Sequence, residues 1–352
     1  MALPRLTPAQ RRALRLLEER AARLTPALRK AFLQSIEAAR RAADVSAAIE
    51  ALQRSDIVAA TDAIFGPTAQ RQMEDDQAVS MVRAMLRGAE LTMRAEVPLR
   101  LFVRLDGPTP PLIDAIRWID DEVVRPDIVK SREGVAAILR SGLEQGQNPH
   151  VVARQARELI GLTEHDVSLV MSFESKLRAD PGAALQSQLR DRRFDPTVRA
   201  AAGLGPVQLT ETQIAQQRDA FAARLLSQRA ETHARTRTLN ALRQGQKVAW
   251  LSAAERAGIP ASDVVKTWVT TLDGRERPEH HQAHGTTVQI DQKFSVDGGV
   301  QVPGENVYNC RCTYTVRLLP SDPVKRILFL NAPERLPLGQ REAAIAAALR
   351  TP

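Results

Sequence analysis

The stretch from Lys266 to Arg317 places the tightest limits on the fold of this chain. It contains both cysteines of the protein, and Gly and Pro occur in it at turn-like positions such as Asp273-Gly274 and Pro303-Gly304. Glycine supplies positive φ in such turns, and proline presets φ. The residues at 267–272 and again at 312–317 alternate with a period of two, which is typical of strands. The stretch therefore predicts a small, turn-rich antiparallel β module.

The chain before this stretch has the pattern of a helical protein. Thr7-Pro8 and Thr25-Pro26 each combine a capping hydroxyl with a proline suited to a first turn, which predicts two successive helices. Apolar residues recur at helical spacing from Pro67 to about Glu96, and a Gly-Gln-Asn-Pro turn at 146–149 predicts an αα-hairpin. We therefore predict a mainly α protein with helical bundles and hairpins, followed by a C-terminal α+β module.

Changes in composition divide the chain into four segments. Gly107-Pro108-Thr109-Pro110-Pro111 is the clearest linker, because proline ends helices and stiffens connections. The region from Asp180 to Pro206 has weak helical patterning and predicts a loop or insertion, after which Thr210-Glu211 begins a long helix. The predicted segments are an N-terminal helical region at 1–106, a middle helical region with the hairpin at 107–208, a module of long helix and small sheet at 209–319, and a tail at 320–352.

The charge balance is basic, with 49 Lys and Arg against 41 Asp and Glu and a net charge of +8. Such a balance favours polyanions, although charges on helices also simply face water. Two cysteines in the spacing Cys310-Arg311-Cys312 do not form a secreted disulfide framework, which predicts a reducing, intracellular origin. The first 20 residues lack a long apolar core, and no window approaches the roughly 18 apolar residues of a membrane span. We expect neither a signal peptide nor a membrane span.

A dense set of Arg and Thr residues lies on the predicted long helix. Arg229, Thr232, Thr236 and Asn240 recur at spacings of three to four, so they share one face. This face is either a buried polar network, a strip that faces phosphates, or a solvated surface. The first alternative would allow the face to contact the β module.

Motifs in a fixed order connect this helix with the β module. They are Arg229-Ala230-Glu231-Thr232, Ala234-Arg235-Thr236, the run from Trp268 to Arg275, Arg277-Pro278-Glu279-His280, Gly285, Phe294, Pro303 and Asn309-Cys310-Arg311-Cys312. In this order, over about residues 209–317, they resemble the Mu F-like phage head morphogenesis, or minor capsid, family. The family-motif residues are Arg229, Thr232, Arg235, Thr236, Trp268, Asp273, Arg277, Gly285, Asn309 and Arg311. Two positions depart from the family pattern: Arg237 stands where an acid is usual, and His284 stands where a shorter polar residue is expected.

The resemblance implies a few-copy internal component of a tailed-phage head. Its expected partners are the portal protein, the inner capsid and packaged DNA, which it would contact through phosphates without reading the base sequence. The resemblance further implies a minor capsid protein. It would be made in the host bacterial cytoplasm and located in the virion, inside the head.

Histidine and cysteine residues of the β module could meet in one place. The candidate metal ligands are His280, His284, Cys310 and Cys312. The two histidines are spaced i, i+4 on one helical turn, and the two cysteines are spaced i, i+2 on one face of a strand. Two imidazoles and two thiolates form a plausible tetrahedral set for a structural zinc ion, with Asp273 or His281 as replacements for His284. The alternatives are reduced buried thiols beside a hydrogen-bonded histidine, and a strained disulfide.

An enzymatic interpretation is the alternative from another class. A metal with an open coordination position beside Arg275, Arg277 and Arg311, with Glu279 as general base, would suit a metal-dependent nuclease or a toxin-like effector delivered with phage DNA. Nucleases, however, usually hold hard cations through several carboxylates, and this module offers few. The sequence also lacks a Gly-rich phosphate loop, a Gly-x-Ser-x-Gly elbow and an HExxH helix. We therefore predict no catalytic residues and no organic cofactor.

Overall fold

A computed structural model gives the fold of residues 5–98, 101, 109–203 and 208–319, and the description below concerns these residues. Helices dominate the chain, and a small antiparallel sheet follows the last long helix, which confirms the predicted fold class. The predicted tail at 320–352 and the first two residues of the predicted linker lie outside the described residues.

The described residues form the following α-helices in chain order. They are α1 (Pro8–Ala42), α2 (Val45–Gln53), α3 (Ile57–Ile64), α4 (Pro67–Ala95), α5 (Pro110–Trp118), α6 (Arg125–Glu144), α7 (Pro149–Glu158), α8 (Glu164–Ala179), α9 (Pro181–Ala184), α10 (Asp195–Ala202), α11 (Glu211–Arg256) and α12 (Pro278–Gln282). The strands are β1 (Val264–Val269), β2 (Thr287–Gln289) and β3 (Thr313–Leu318). A π-helical segment, Ile119–Val124, precedes α6.

The chain forms two compact units, each assembled from separate segments. The first unit contains Met1–Leu28, Val79–Ile119 and Thr232–Pro352, and the second contains Arg29–Ala78 and Asp120–Glu231. The boundaries between these segments fall inside α1, α4 and α11, as well as at the start of the π-helical segment.

Several short helices of the second unit begin with side-chain caps. The predicted αα-hairpin is present, because α6 ends at Glu144 and α7 begins after Asn148, whose side chain accepts the backbone N–H of His150. Asp44 and Asp56 cap α2 and α3 by accepting backbone N–H groups. The loop prediction for 180–206 is wrong for much of its described part, because α9 and α10 form there and Asp195, at the start of α10, pairs with Arg190. Residues 204–206 lie outside the described residues.

The helix break predicted at Thr25-Pro26 is also wrong, because α1 continues through Pro26. The Thr25 hydroxyl donates to the carbonyl of Ala21 at 2.8 Å, so it bonds back to the preceding turn and caps no new helix. Ala21 before the proline and Phe32 after it are both almost fully buried. Packing on both sides of Pro26 therefore offsets the one backbone hydrogen bond that proline removes.

The sheet has the strand order β2-β1-β3, and both pairings are antiparallel. All six residues of the central strand β1 are buried. The first predicted strand was placed three residues too late, because β1 ends before Leu272 adopts positive φ and the Asp273-Gly274 turn begins. β2 has three residues and was not predicted, since so short a strand carries no clear period of two.

Two glycines allow α4 and α11 to approach closely within the first unit. A Cβ atom on Gly245 would lie 2.3 Å from the carbonyl oxygen of Met85 and 2.7 Å from the backbone nitrogen of Ala89. On the facing helix, a Cβ atom on Gly88 would lie 3.1 Å from the Cα atom of Leu242. The absence of both side chains therefore sets the distance between α4 and α11.

We expect Gly245→Ala to lower the free energy of unfolding by about 1–3 kcal/mol, because the new methyl group meets backbone atoms that cannot rotate away. Urea unfolding followed by circular dichroism measures the change. Helix propensity alone would change stability in the opposite direction, by up to about 1 kcal/mol. Ala22→Gly, at an exposed position of α1 in the same unit, measures that propensity effect alone. A more stable Gly245→Ala protein would contradict the close approach.

Candidate metal centre

One histidine and two cysteines meet in the interior of the β module. His280 Nδ1 lies 3.5 Å from Cys310 Sγ and 3.4 Å from Cys312 Sγ. The three candidate ligand atoms all lie within 4.8 Å of one another. The exposed fractions of these residues are 1%, 4% and 2%, respectively. We call this group the His–Cys cluster, and its donor atoms are able to hold a metal ion.

Local structure places the three side chains. Pro278 starts the short helix α12, which carries His280, and Cys312 immediately precedes β3. Trp268 of β1 is fully buried and packs edge-on against His280, with ring centroids 5.3 Å apart, and against Phe294 at 5.2 Å. These aromatic contacts hold the plane of the imidazole while its two nitrogen atoms remain available for polar partners.

The other ring nitrogen of His280 faces a carboxylate. Nε2 lies 2.8 Å from Asp297 Oδ2, so Nε2–H donates to the carboxylate and the Nδ1 atom faces the sulfur atoms. Asp297 has a φ of +51°, a left-handed conformation that aspartate tolerates. The Asn306 side chain donates to the carbonyl of Asp297 at 2.8 Å and stabilises the backbone at Asp297.

Arg243 of α11 holds the segment that contains the cysteines. Its Nη2 atom donates to the carbonyls of Cys310 and Cys312 at 2.8 and 2.5 Å. Its Nη1 atom donates to Asn240 Oδ1 at 3.2 Å, and the Tyr314 hydroxyl donates to the carbonyl of Arg243 at 2.6 Å. The exposed fraction of Arg243 is only 1%, so a buried positive charge lies beside the two thiols.

These contacts shift the protonation of the cluster. The neighbouring Cys312 thiol lowers the pKa of Cys310, assisted by His280 and the charge of Arg243 and opposed by burial. The same pairing and burial raise the pKa of Cys312. Burial lowers the pKa of His280, but hydrogen bonds with Cys310 and Asp297 outweigh it, so the net pKa is raised. The shifts favour a single thiolate, on Cys310, facing a protonated imidazole.

The structure places the remaining predicted metal ligands elsewhere. His284 is buried, and its Nδ1 atom accepts the backbone N–H of Thr270 at 3.2 Å. His281 is partly exposed and lies 3.0 Å from Glu276. Asp273 accepts two hydrogen bonds from the Arg311 guanidinium, at 2.5 and 2.8 Å. Within the described part of the chain, the candidate metal group contains only the three residues of the His–Cys cluster.

The motif face of α11 contributes directly to the β module. The Thr236 hydroxyl accepts the backbone N–H of Asn309 at 3.0 Å, and Asn240 holds Arg243. Arg235 donates to both carboxylate oxygens of Glu18 at 2.9 Å. Arg237, which departs from the family pattern, is buried. Part of the face is therefore the buried polar network that the sequence left open as one of three alternatives.

Other motif residues contact distant parts of the chain. Arg229 lies 3.8 Å from Asp166, and Thr232 is half-buried. Arg277 donates to the carbonyl of Tyr308 at 3.2 Å. Gly285 has a φ of +84°, which explains the need for glycine there. Its N–H donates to the carbonyl of Trp268 at 2.9 Å.

Sequence reasoning missed three residues that contact the His–Cys cluster or its segment: Arg243, Asp297 and Thr270. Arg243 lies seven residues after Thr236 and three after Asn240, so extending the helical face by one step would have found it. In the sequence, Asp297 is followed by Gly298 and Gly299, a pattern that indicates only a turn. Thr270 Oγ1 accepts a hydrogen bond from Cys312 Sγ at 3.3 Å, and nothing in the sequence indicates this contact.

The fold and the site define a largely helical protein whose small α+β module encloses a cluster of one imidazole and two thiols. The family model described as Phage Mu protein F like protein matches residues 133–315, a little over half of the chain, and the chain belongs to this family. The match covers α11, the two cysteines and His280, so the resemblance predicted from the motifs is confirmed. Membership indicates a phage head morphogenesis protein. Neither the curated proteins nor the solved structures include a match.

A second buried polar centre lies beside the cluster's aromatic core. Lys266 of β1 is fully buried, its ammonium group donates to the carbonyl of Gln301 at 2.7 Å, and it lies 5.0 Å from the centroid of the Phe294 ring. Burial lowers the pKa of Lys266 to about 7; nearby Lys247 adds to the shift, and Glu305 and Asp291 oppose it. The native state therefore binds fewer protons here than the unfolded state between about pH 7 and the ordinary lysine pKa of 10.5.

We expect Lys266→Met to stabilise the protein near pH 7 and to lose this advantage as the pH rises towards 10. The buried ammonium group costs free energy below its native pKa, and this cost disappears once the unfolded lysine also loses its proton. Urea unfolding of both proteins at several pH values measures the difference in the free energy of unfolding. Lys293→Met, at an exposed position, is the control and should show no such trend. An advantage that grows with pH would contradict the assignment.

Proposed function

We propose that this protein is a minor capsid protein without enzymatic activity, located inside the head of a tailed phage. It associates with the portal protein and the inner capsid surface and contacts packaged DNA through phosphates. Membership of the Mu F-like family carries the proposal, because the matched region contains the motif face of α11 and the module that this face supports.

Burial of the His–Cys cluster supports a role without catalysis. Cys310, His280 and Asp297 form a chain of contacts similar to the arrangement that activates a nucleophilic cysteine. A reactive cysteine also needs partial exposure so that a substrate reaches its sulfur atom. The cluster residues are at most 4% exposed, and the Asp297 side chain is 9% exposed. The contacts are therefore better suited to holding the module together.

A group of arginines in the second unit supports contact with DNA. We call it the basic patch, and its members are Arg190, Arg192, Arg193, Arg199 and Arg224. Two carboxylates, Asp191 and Asp195, lie among them and accept hydrogen bonds from several guanidinium groups. The side chains of Arg193 and Arg199 are 82% and 64% exposed. Five positive charges against two negative ones leave an accessible excess for phosphate oxygens.

No helix in the described part of the chain has the length and apolar character to cross a membrane.

We expect the purified full chain to bind two unrelated DNA duplexes equally, with an affinity that falls linearly with salt concentration on logarithmic axes. Fluorescence anisotropy between about 50 and 200 mM salt measures this dependence. In the double variant Arg193→Gln/Arg199→Gln, the slope should decrease by about 1.8, because each phosphate contact contributes about 0.9. The absence of binding at low salt would refute the DNA contact.

Arg15→Gln/Arg117→Gln is the matched control, because it removes the same charge from side chains that are 70% and 74% exposed in the first unit. It should leave the salt slope unchanged. An equal loss in both double variants would assign DNA binding to net charge and not to the basic patch. Plasmid cleavage in parallel reactions with magnesium or zinc would instead support the nuclease alternative.

Location in the head requires a separate experiment. Mass spectrometry of purified phage heads should detect the protein at few copies. Protease treatment of intact heads should leave it uncut, whereas treatment of opened heads should degrade it. Cleavage in intact heads would place the protein outside and would contradict the proposed location.

A further inference from the structure

We propose that the His–Cys cluster is a zinc site with three protein ligands, His280 Nδ1, Cys310 Sγ and Cys312 Sγ, and that Asp297 is the residue that positions the imidazole. This inference goes beyond the proposed role in the head. It concerns how the β module is stabilised, and it does not depend on portal or DNA binding.

The distances within the cluster match zinc coordination. Zinc–sulfur bonds of about 2.3 Å and zinc–nitrogen bonds of about 2.0 Å at tetrahedral angles separate sulfur from nitrogen by about 3.5 Å. The observed distances from His280 Nδ1 are 3.5 Å to Cys310 Sγ and 3.4 Å to Cys312 Sγ. A single proton on Nδ1 would form a well-aligned hydrogen bond with only one of the two sulfur atoms. One ion between the three atoms satisfies all of them at once.

The residues that contact the three proposed ligands are also typical of a metal site. A histidine that binds a metal usually donates its other N–H to a carboxylate, which fixes the ring and its tautomer. Asp297 occupies this position, 2.8 Å from His280 Nε2. Thr270 Oγ1 lies 3.3 Å from Cys312 Sγ, and its hydroxyl is able to donate to the sulfur atom once a metal has displaced the thiol proton. Both contacts are in place around the three ligands.

Charge and donor type select the metal. Two thiolates neutralise a divalent ion, and Arg243 remains bonded to the carbonyls of Cys310 and Cys312. Thiolate and imidazole ligands favour zinc over magnesium or calcium, which prefer oxygen ligands. His284 does not belong to the candidate metal group, and its Nδ1 atom accepts the N–H of Thr270, so it is not among the proposed ligands. The site differs in this respect from the four-residue set predicted from the sequence.

Cobalt titration of the reduced, metal-stripped full chain tests the inference. We expect one cobalt ion per chain, with thiolate-to-cobalt charge-transfer bands and the intense visible bands of tetrahedral coordination, both lost on adding zinc. This readout uses the wild-type chain and does not depend on how well any variant folds. Absence of binding, or the weak bands of octahedral oxygen coordination, would overturn the proposal.

Variants then separate the ligands from their neighbours. Cys312→Ser and His280→Ala should lose the cobalt spectrum, whereas His281→Ala, on the same helical turn, and His284→Gln should retain it. Asp297→Asn should keep one ion per chain but bind zinc about 10–100-fold more weakly in competition with a chelator. Loss of the spectrum in His284→Gln would overturn the three-residue set, and unchanged zinc affinity in Asp297→Asn would overturn the positioning role.

Discussion

Replacing Arg243 by alanine is expected to lower the free energy of unfolding by about 3–5 kcal/mol, one of the two largest effects that we predict for a single substitution. The change removes the donor to the carbonyls of Cys310 and Cys312 and leaves both buried acceptors unsatisfied. It also leaves a cavity, because Arg243 is among the largest fully buried side chains of the described residues. Urea unfolding monitored by circular dichroism and by tryptophan fluorescence measures the loss.

Two further substitutions identify the cause of this effect. Arg243→Lys keeps the charge but loses the planar group that reaches both carbonyls, so it should still be destabilising, although less than alanine. Arg275→Ala removes an arginine of the same module whose side chain is 76% exposed, and it should change stability by no more than about 0.5 kcal/mol. A loss below about 1 kcal/mol in Arg243→Ala would show that water replaces the buried contacts.

Replacing Trp268 by alanine is the second substitution with a large expected effect, about 3–5 kcal/mol. Trp268 is fully buried at the centre of the aromatic core, and its ring contacts both Phe294 and His280 edge-on. The substitution removes the apolar contacts and also the surface that holds the imidazole plane. We therefore expect weaker metal binding together with the loss of stability.

Comparison with other aromatic substitutions tests this explanation. Trp268→Phe retains part of the ring contact and should cost less than alanine. Tyr308→Ala removes an aromatic side chain of the same module that is 43% exposed, and it should have a small effect. Equal losses in Trp268→Ala and Tyr308→Ala would contradict the assignment of Trp268 to the core of the module.

Local patterns in the sequence were sufficient to predict the fold class and part of the site. A period of two interrupted by Gly and Pro predicted the β module, and the structure confirms strands on both sides of its turns. The spacing of Thr236 and Asn240 on one helical face predicted a possible contact with that module. The Thr236 hydroxyl accepts the backbone N–H of Asn309 in the module, and Asn240 accepts a hydrogen bond from Arg243. The order of motifs identified the Mu F-like family, which the family match confirms. The predictions of the β module and of the helical face depend on neighbours within a few residues, where backbone geometry determines which side chains lie together.

Tertiary structure alone decided the remaining features. α1 continues through Pro26 because residues on both sides of it are buried, and no local signal reports that burial. His280 meets the two cysteines and Asp297, whereas His284 bonds to Thr270, although both histidines lie on the same short segment. Which polar atoms face each other depends on segments that are distant in sequence and become neighbours only when the core packs. The sequence by itself therefore determined the fold class and the family, and the packing of α11 against the β module decided the partners of the polar groups in the His–Cys cluster.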